Sequence, residues 1–452
     1  MPYSRRVVPI ELFRRVAERV PAYGEFLRER GVDPAAVRAF GDVPMTTKDN
    51  YVRRHPLAAL CRDGVVGDMI AVSSGSSGEP AFWVRSSADE KVIAERFAEV
   101  FRAFGAHERR TLAVVCFSLG TWVGGLFTIS CLRHLADEGF PVTVVAPGNN
   151  KGEILRVLPA LAPQFEQVVL LGYPPFLKDV IDTPGVPWPD YHVKIVTAGE
   201  VFSEEWRALV AARAAIADPL TSTASLYGTA DAGVLGNETP LSIEIRRFLA
   251  ARPDAAKELF GASRLPTLVQ YDPAVRFFEE HDGTLLFTGD NGIPLVRYHI
   301  ADEGGLISHQ GMLAYLARYG FRPTAPGPHL PFVYVFGRSL FVVSYYGANV
   351  YPENVTVGLE QPEVSASVTG KFVLSAPEGA KGIELTVELS AGTTPTPDLA
   401  AQISTSVLQA LHRLNSEFTH YVPDAHQPPL VTLRPYADPE HFPPGVKHRY
   451  VR

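Results

Sequence analysis

Between residues 88 and 230 short apolar runs alternate with amphipathic stretches. Glu90 to Phe104 spaces its apolar residues for one helical face, and Leu112 to Phe117 is a continuous run suited to a buried strand. Trp122 to Asp137 reads as a helix, Val142 to Ala146 as a strand, Ile154 to Leu161 as a helix, and Val168 to Leu171 and Val193 to Thr197 as further strands. Such alternation predicts a parallel sheet covered by helices. Upstream, Glu11 to Arg30 has helical spacing interrupted by Pro21, and Val43 to Tyr51 reads as a turn followed by a helix, with Thr46 or Thr47 as its N-cap.

After residue 265 the pattern shortens. Thr267 to Tyr271, Thr284 to Phe287 and Pro294 to Tyr298 read as strands of a β-rich subdomain. Beyond Gly337 a smaller unit follows, with strands at Leu340 to Tyr345, Ala366 to Leu374 and Glu384 to Leu389, then a helix from about Leu399 to Leu414. The expected fold class is α/β: a large N-terminal domain (1–337) with helix-covered sheets and a β-rich subdomain, plus a small mobile α+β C-terminal domain (338–452).

Composition narrows the functional classes. The chain has 452 residues, of which 46% are hydrophobic, enough for a large core and against intrinsic disorder. Its formal charge of −7 disfavours broad nucleic-acid binding. Three cysteines, Cys61, Cys116 and Cys131, lack the spacing of a zinc site or a disulfide scaffold. No apolar run approaches the ~18 residues of a membrane span, and no signal peptide is evident, so no membrane partner and a cytoplasmic location are expected.

Six motifs could carry chemistry. Ser73, Ser74, Gly75, Ser76, Ser77 and Gly78 offer closely spaced backbone N–H groups and hydroxyls, a combination suited to a polyphosphate; the plain alternative is a flexible Gly/Ser linker. Thr197-Ala198-Gly199-Glu200 ends a predicted strand. In Tyr227-Gly228-Thr229-Ala230-Asp231 an aromatic face suits a base and the acid suits Mg²⁺, though a surface turn would read the same way. Asp302, past the strand beginning at Leu295, could accept two ribose hydroxyls. Gly337-Arg338-Ser339, followed by Tyr346 to Glu353, is the fifth motif, and Gly445-Val446-Lys447 the sixth.

In order and spacing these motifs resemble the adenylate-forming superfamily of acyl-CoA synthetases, adenylation domains and luciferases, and within it the phenylacetate–CoA ligase branch. The likeness runs from the segment Val43 to Asn50 to Lys447. It implies ATP and Mg²⁺ as cofactors, with CoA left open. Ser73 to Gly78 would hold the phosphates of ATP, Ala198, Gly199 and Glu200 the adenine side, Tyr227 and Gly228 the base, and Asp302 the ribose. Asp231 would be linked to the metal. Arg338 would open the hinge and approach ribose or phosphate, and Lys447 would steady the acceptor oxygen and α-phosphate. Phe117, Trp122 and Gly125 are nominated for an aromatic acceptor slot. A homodimer is the weakly favoured assembly.

The sequence also departs from the branch. Glu79 replaces a frequent lysine, and Ala230 replaces a Thr or Ser. Leu340 and Phe341 replace the two hinge acids, and Tyr346 replaces an arginine. Apolar hinge residues favour one packed arrangement over two. The resemblance therefore implies an ATP-dependent ligase that activates an aromatic carboxylic acid as its acyl-adenylate, in bacterial aromatic or secondary metabolism. The alternative is an ATP-dependent diazotase that adenylates nitrite and diazotises an aromatic amine without CoA. A catalytically idle nucleotide-binding scaffold is the reading from another class.

Overall fold

The helix–strand alternation is present in the computed structural model, which describes residues 8–73, 81–121, 123–262, 264–338, 343–377, 381–443 and 450–451, with Arg338 by its backbone alone. Two helices, α1 (Pro9–Arg19) and α2 (Pro21–Glu29), open the chain, each with a proline at its start. Proline fits there because its missing N–H would have had no partner. A two-stranded hairpin, β1 (Met69–Val72) and β2 (Phe82–Arg85), follows. Ser86 then caps α3 (Ser87–Ala103) through a reciprocal box with Asp89.

Next come β3 (Thr111–Val115), α4 (Val123–Asp137), β4 (Val142–Val145), α5 (Lys151–Leu161), β5 (Gln167–Gly172), α6 (Pro174–Ile181), β6 (Val193–Ala198), α7 (Glu204–Arg213) and β7 (Thr223–Thr229). Then follow β8 (Gly233–Asn237), α8 (Pro240–Ala250), α9 (Pro253–Phe260), β9 (Thr267–Gln270), β10 (Phe277–His281), β11 (Thr284–Gly289), β12 (Leu295–Ile307), α10 (His309–Ala317) and β13 (Phe332–Arg338). The last part holds β14 (Val343–Tyr345), β15 (Ala348–Val350), α11 (Pro352–Leu359), α12 (Pro362–Ser365), β16 (Val368–Ser375), β17 (Glu384–Leu389), α13 (Pro397–Leu414), α14 (Ser416–Tyr421) and β18 (Leu430–Arg434).

Eleven strands form one sheet, in the order β10-β11-β12-β13-β9-β8-β7-β6-β5-β3-β4. The part from β4 to β7 is parallel. Its side chains alternate between two cores: Ala113 and Val115 face α3 and α4, while Leu112 and Val114 face the side of α5, α6 and α7. A parallel sheet buried on both faces gives such near-continuous apolar strands. The strands after residue 265 continue this sheet instead of forming one of their own, so the β-rich region is an extension and not a separate layer. Direction reverses at the β7–β8 hairpin.

Two local expectations are corrected. No α-helix follows Thr46 and Thr47. The Thr46 N–H goes to the carbonyl of Arg297 and its carbonyl accepts from the His299 N–H, so Thr46 lies against β12. Thr47 and Asn50 exchange side-chain bonds of 2.7 and 2.9 Å around one turn, and a single 3₁₀ turn at Val52–Arg54 ends the segment. Asp302 also lies within β12, not past it. The strand continues because it kinks at Arg297 and Ala301, both with positive φ.

Residues from Val343 to Val422 build their own core, with β16, β17 and β18 as its sheet. Among the described residues no helix is long and apolar enough to cross a membrane.

Candidate nucleotide site

The β7–β8 hairpin sits where the sheet changes direction, and its turn presents Asp231. Buried Arg85 holds that turn, donating to the carbonyls of Ala230 (2.5 Å) and Asp231 (3.2 Å). Burial pulls the Arg85 pKa down, while Asp89 and Asp231 oppose that pull. Behind β7, Arg207 donates to Glu238 at 2.7 Å and pairs with Glu204, which also pairs with Arg246. Glu238 in turn accepts from the Ser225 N–H. These paired, hydrogen-bonded charges fix the strand that carries Tyr227.

Tyr227 is buried, and its hydroxyl donates to Asp302 Oδ2 at 2.8 Å. Directly across the β12–β13 ladder, Asp302 faces Arg338. Four residues before Asp302, Tyr298 donates its hydroxyl to Asp231 Oδ2 at 2.5 Å. The Lys48 ammonium lies 3.5 Å from Asp231 Oδ1 and 5.7 Å above the Trp83 ring. A carboxylate thus held by a hydroxyl and an ammonium already has its cation, so a metal at Asp231 would compete with Lys48. Among the described residues no cluster of three or more His, Cys, Asp or Glu side chains could hold a metal ion.

On the other flank β6 ends at Ala198 and Gly199 turns with φ +86°. Glu200 accepts from the Tyr450 hydroxyl at 2.7 Å. Burial and the Glu200 carboxylate push the Tyr450 phenol well up. Tyr450 is tied to β16, because its carbonyl accepts from the Leu374 N–H. The end of the small unit is therefore anchored beside the turn at the end of β6.

The nominated acceptor slot is a packed wall. Phe117 is buried and meets Tyr173 edge to face, with centroids 5.2 Å apart. A Cβ on Gly199 would lie 2.7 Å from the Tyr173 ring, so Tyr173 joins Phe117 to the β6 turn. A Cβ on Gly125 would lie 2.5 Å from the Ser118 carbonyl oxygen, a distance only glycine permits. Burial raises the Tyr173 pKa to about 12.

Asp231, Tyr227, Gly228 and Asp302 are thus brought together, with the Arg338 backbone beside them, and Ala198, Gly199 and Glu200 end the adjoining strand. Ser73 closes the neck of the hairpin that bears the Ser/Gly motif, its hydroxyl oxygen accepting from the Ala81 N–H at 3.1 Å. Ser74, Gly75, Ser76, Ser77, Gly78, Glu79, Trp122, Leu340, Phe341, Lys447 and the Arg338 side chain lie outside the described residues. The sequence did not single out Arg85, Tyr173, Tyr298 or Tyr450, and gave Lys48 no role. Only Tyr298 and Lys48 carried a signal, since they stand inside motifs that drew attention for other residues.

No family model matches the chain. A phenylacetate–coenzyme A ligase of Thermus thermophilus is 27% identical over 364 residues, covering 77% of this chain and 73% of that protein. A 2-hydroxyisobutyryl-CoA ligase in its postadenylation state, in complex with 2-HIB-AMP, has a TM-score of 0.67 at 15% identity, covering 99% of this chain and 91% of that one. The same ligase in its thioesterification state gives 0.52 at 14% identity, covering 94% and 84%. The acyl acid amido synthetase AtGH3.15 gives 0.56 at 13% identity, covering 95% and 86%.

Proposed function

We propose that this chain is an adenylate-forming enzyme of the phenylacetate–CoA ligase-like branch, as its likeness to such a ligase supports, and that it is an AMP-forming ligase that activates an aromatic carboxylic acid as its acyl-adenylate. One observation carries the reading. Tyr227 binds Asp302, and strand pairing sets Asp302 opposite Arg338. An aromatic ring, a carboxylate and the backbone of an arginine are thereby brought together from three separate strands, which supports a nucleotide site.

In the proposed reaction the carboxylate oxygen of the acid bonds to the α-phosphorus of ATP. The bond from that phosphorus to the bridging oxygen breaks, and pyrophosphate leaves with the electron pair. Such transfers depend on alignment and charge neutralisation. Asp302 would orient the ribose. Tyr227 would offer its ring to adenine, with its hydroxyl held away from the base by Asp302. The segment ending at Tyr450 would bring Lys447 to the acceptor oxygen, because Tyr450 rests on Glu200. Mg²⁺ would arrive on the ATP phosphates and neutralise their charge; Asp231 is its proposed protein ligand, exchanging Lys48 for the ion. Phe117 and Gly125 would line the acceptor side.

The greater likeness to the postadenylation form than to the thioesterification form of one ligase supports an arrangement suited to adenylation. A second reading is nitrite adenylation followed by diazotisation of an aryl amine without CoA. Tyr346 favours it. At the position of the branch arginine, it packs on Tyr345 and lies 3.4 Å from His426 within the small unit.

The test is AMP and pyrophosphate release from Mg·ATP across aryl carboxylates and nitrite, each with and without CoA, and nitrite with and without aryl amines. Aryl-acid turnover supports the first reading, and nitrite turnover that rises with amine supports the second. Lys447→Ala should abolish adenylation while ATP still binds. Surviving turnover in that variant would refute the assigned chemistry.

A further inference from the structure

Arg85 closes β2, Arg276 immediately precedes β10, and Asn291 lies in the turn between β11 and β12. They are only 2%, 4% and 2% exposed. Yet Arg85 Nε, Arg276 Nε and Asn291 Nδ2 have no hydrogen-bond partner among the described residues. The three share one corner of the large unit. A Cβ on Gly289 would lie 3.3 Å from Arg276 Cδ, and a Cβ on Gly292 would lie 2.6 Å from the carbonyl oxygen of Val84, next to Arg85. Asn291 stands between those glycines in the chain. Buried polar groups are nearly always paired, so three orphans so close together point to a missing partner.

The charges of the corner do not balance. Arg85 gives its Nη groups to the carbonyls of Val84, Ala230 and Asp231, and Arg276 gives Nη1 to the Val275 carbonyl at 3.0 Å. Neither guanidinium makes an ion pair among the described residues. Asp89 acts on both through space, but its Oδ2 already accepts from the Ser86 and Gly292 N–H groups, each at 2.9 Å. The other charges nearby are engaged: Asp231 with Lys48, Asp290 with Arg62, and Arg96 with Glu99. One carboxylate thus faces two guanidiniums.

Burial lowers the Arg276 pKa to about 10; Asp89 opposes the fall, and Arg85 and Arg96 add to it. At that value the side chain is still a cation at neutral pH, and arginine does not shed its charge as a buried lysine can. An unbalanced charge in the interior is costly. Water could reach such donors, but it brings no charge and needs acceptors for its own protons. All three orphaned atoms are donors, and guanidinium has no acceptor to offer. An anion supplies both the charge and the lone pairs.

We infer that Arg85, Arg276 and the Asn291 amide hold a small monovalent inorganic anion, chloride under ordinary conditions, beside the turn that presents Asp231. Through Arg85, which grips the Ala230 and Asp231 carbonyls, the anion steadies that turn. Its binding needs no turnover, so the test is independent of the adenylation proposed above.

The full chain is melted in sodium gluconate, which is replaced stepwise by sodium chloride at constant ionic strength. The wild-type midpoint should rise by about 1–2 °C per tenfold increase in chloride above the dissociation constant, the shift that mass action gives a chain of this length. Arg276→Met removes one of the two cations and should melt at one temperature in both salts. Arg156→Met, at an exposed site, should keep the wild-type response. A wild-type midpoint indifferent to chloride, or an Arg276→Met variant that still responds to it, would overturn the inference. So would a rise with nitrite or formate and none with chloride, since the site would then take an oxyanion and not a halide. If Arg276→Met fails to fold, crystals of the wild-type chain grown in bromide decide the matter. An anomalous peak between the Arg85 and Arg276 guanidiniums is expected, and bromide found only on the surface would refute the site.

Discussion

The hydroxyl of Tyr227 donates to Asp302, joining β7 to β12 across 75 positions of sequence at 2.8 Å. The bond fixes the tyrosine ring against the Asp302 carboxylate. Tyr227→Phe keeps the ring and removes one hydrogen bond, so ATP binding should weaken by less than about tenfold, the measure of a bond worth about 0.5–1.5 kcal/mol. Asp302→Ala should cost more than that. Calorimetric titration with a non-hydrolysable ATP analogue tests the pair, and equal losses would argue against a separate role for the aspartate.

Tyr450 donates its hydroxyl to Glu200 at 2.7 Å. Tyr450→Phe should slow ATP–pyrophosphate exchange by about 10- to 150-fold, as for a lost bond to a charged group of about 1.5–3 kcal/mol. Nucleotide affinity should stay near wild type. An unchanged exchange rate would mean that the contact does not position the segment that carries Lys447.

Gly125 is required by its neighbour. Gly125→Ala would place a Cβ 2.5 Å from the Ser118 carbonyl, and the surrounding wall would have to move. Overpacking of this kind destabilises by about 1–3 kcal/mol. Gly41, with open space around it, is the control, and Gly41→Ala should melt with the wild type.

Glu360 sets a pH dependence at the boundary of the two units. Burial raises its pKa from 4.5 to about 8; Glu205 adds to the rise, while the Ser203 hydrogen bond, Lys178 and Arg246 oppose it. The folded protein keeps this proton where the unfolded chain has released it. The stability it contributes is therefore full below about pH 4.5, falls through the neutral range, and is gone above about pH 8. Glu360→Gln should flatten that slope in thermal melts from pH 6 to 9. A variant with the wild-type slope would remove Glu360 as its source.

Much of this was legible in the sequence, and the reasons differ by region. The strands from Leu112 to Thr197 showed themselves because both faces of a parallel sheet are apolar. Asp302 was visible as a residue, but not its place inside β12, because kinks at Arg297 and Ala301 leave no trace in hydrophobic alternation. Thr47 and Asn50 mimic a helix cap, yet the pairing of Thr46 with a strand 250 residues away prevents a helix. Tyr173 and Tyr450 act through contacts far apart in sequence, and no local pattern announces them.

The β1–β2 hairpin, which carries the Ser/Gly motif between its strands, pairs with no third strand among the described residues. It is held mainly through β2, where Trp83, Val84 and Arg85 are buried, while Ile70 and Phe82 face solvent. A two-stranded ribbon has little stability of its own. Local opening of β1 should therefore cost far less than global unfolding, and its backbone amides should exchange with solvent deuterium well before those of β5 or β6. A polyphosphate gripped between the two strands would close that opening. Slowed exchange at Met69 to Val72 would then report nucleotide capture without any turnover.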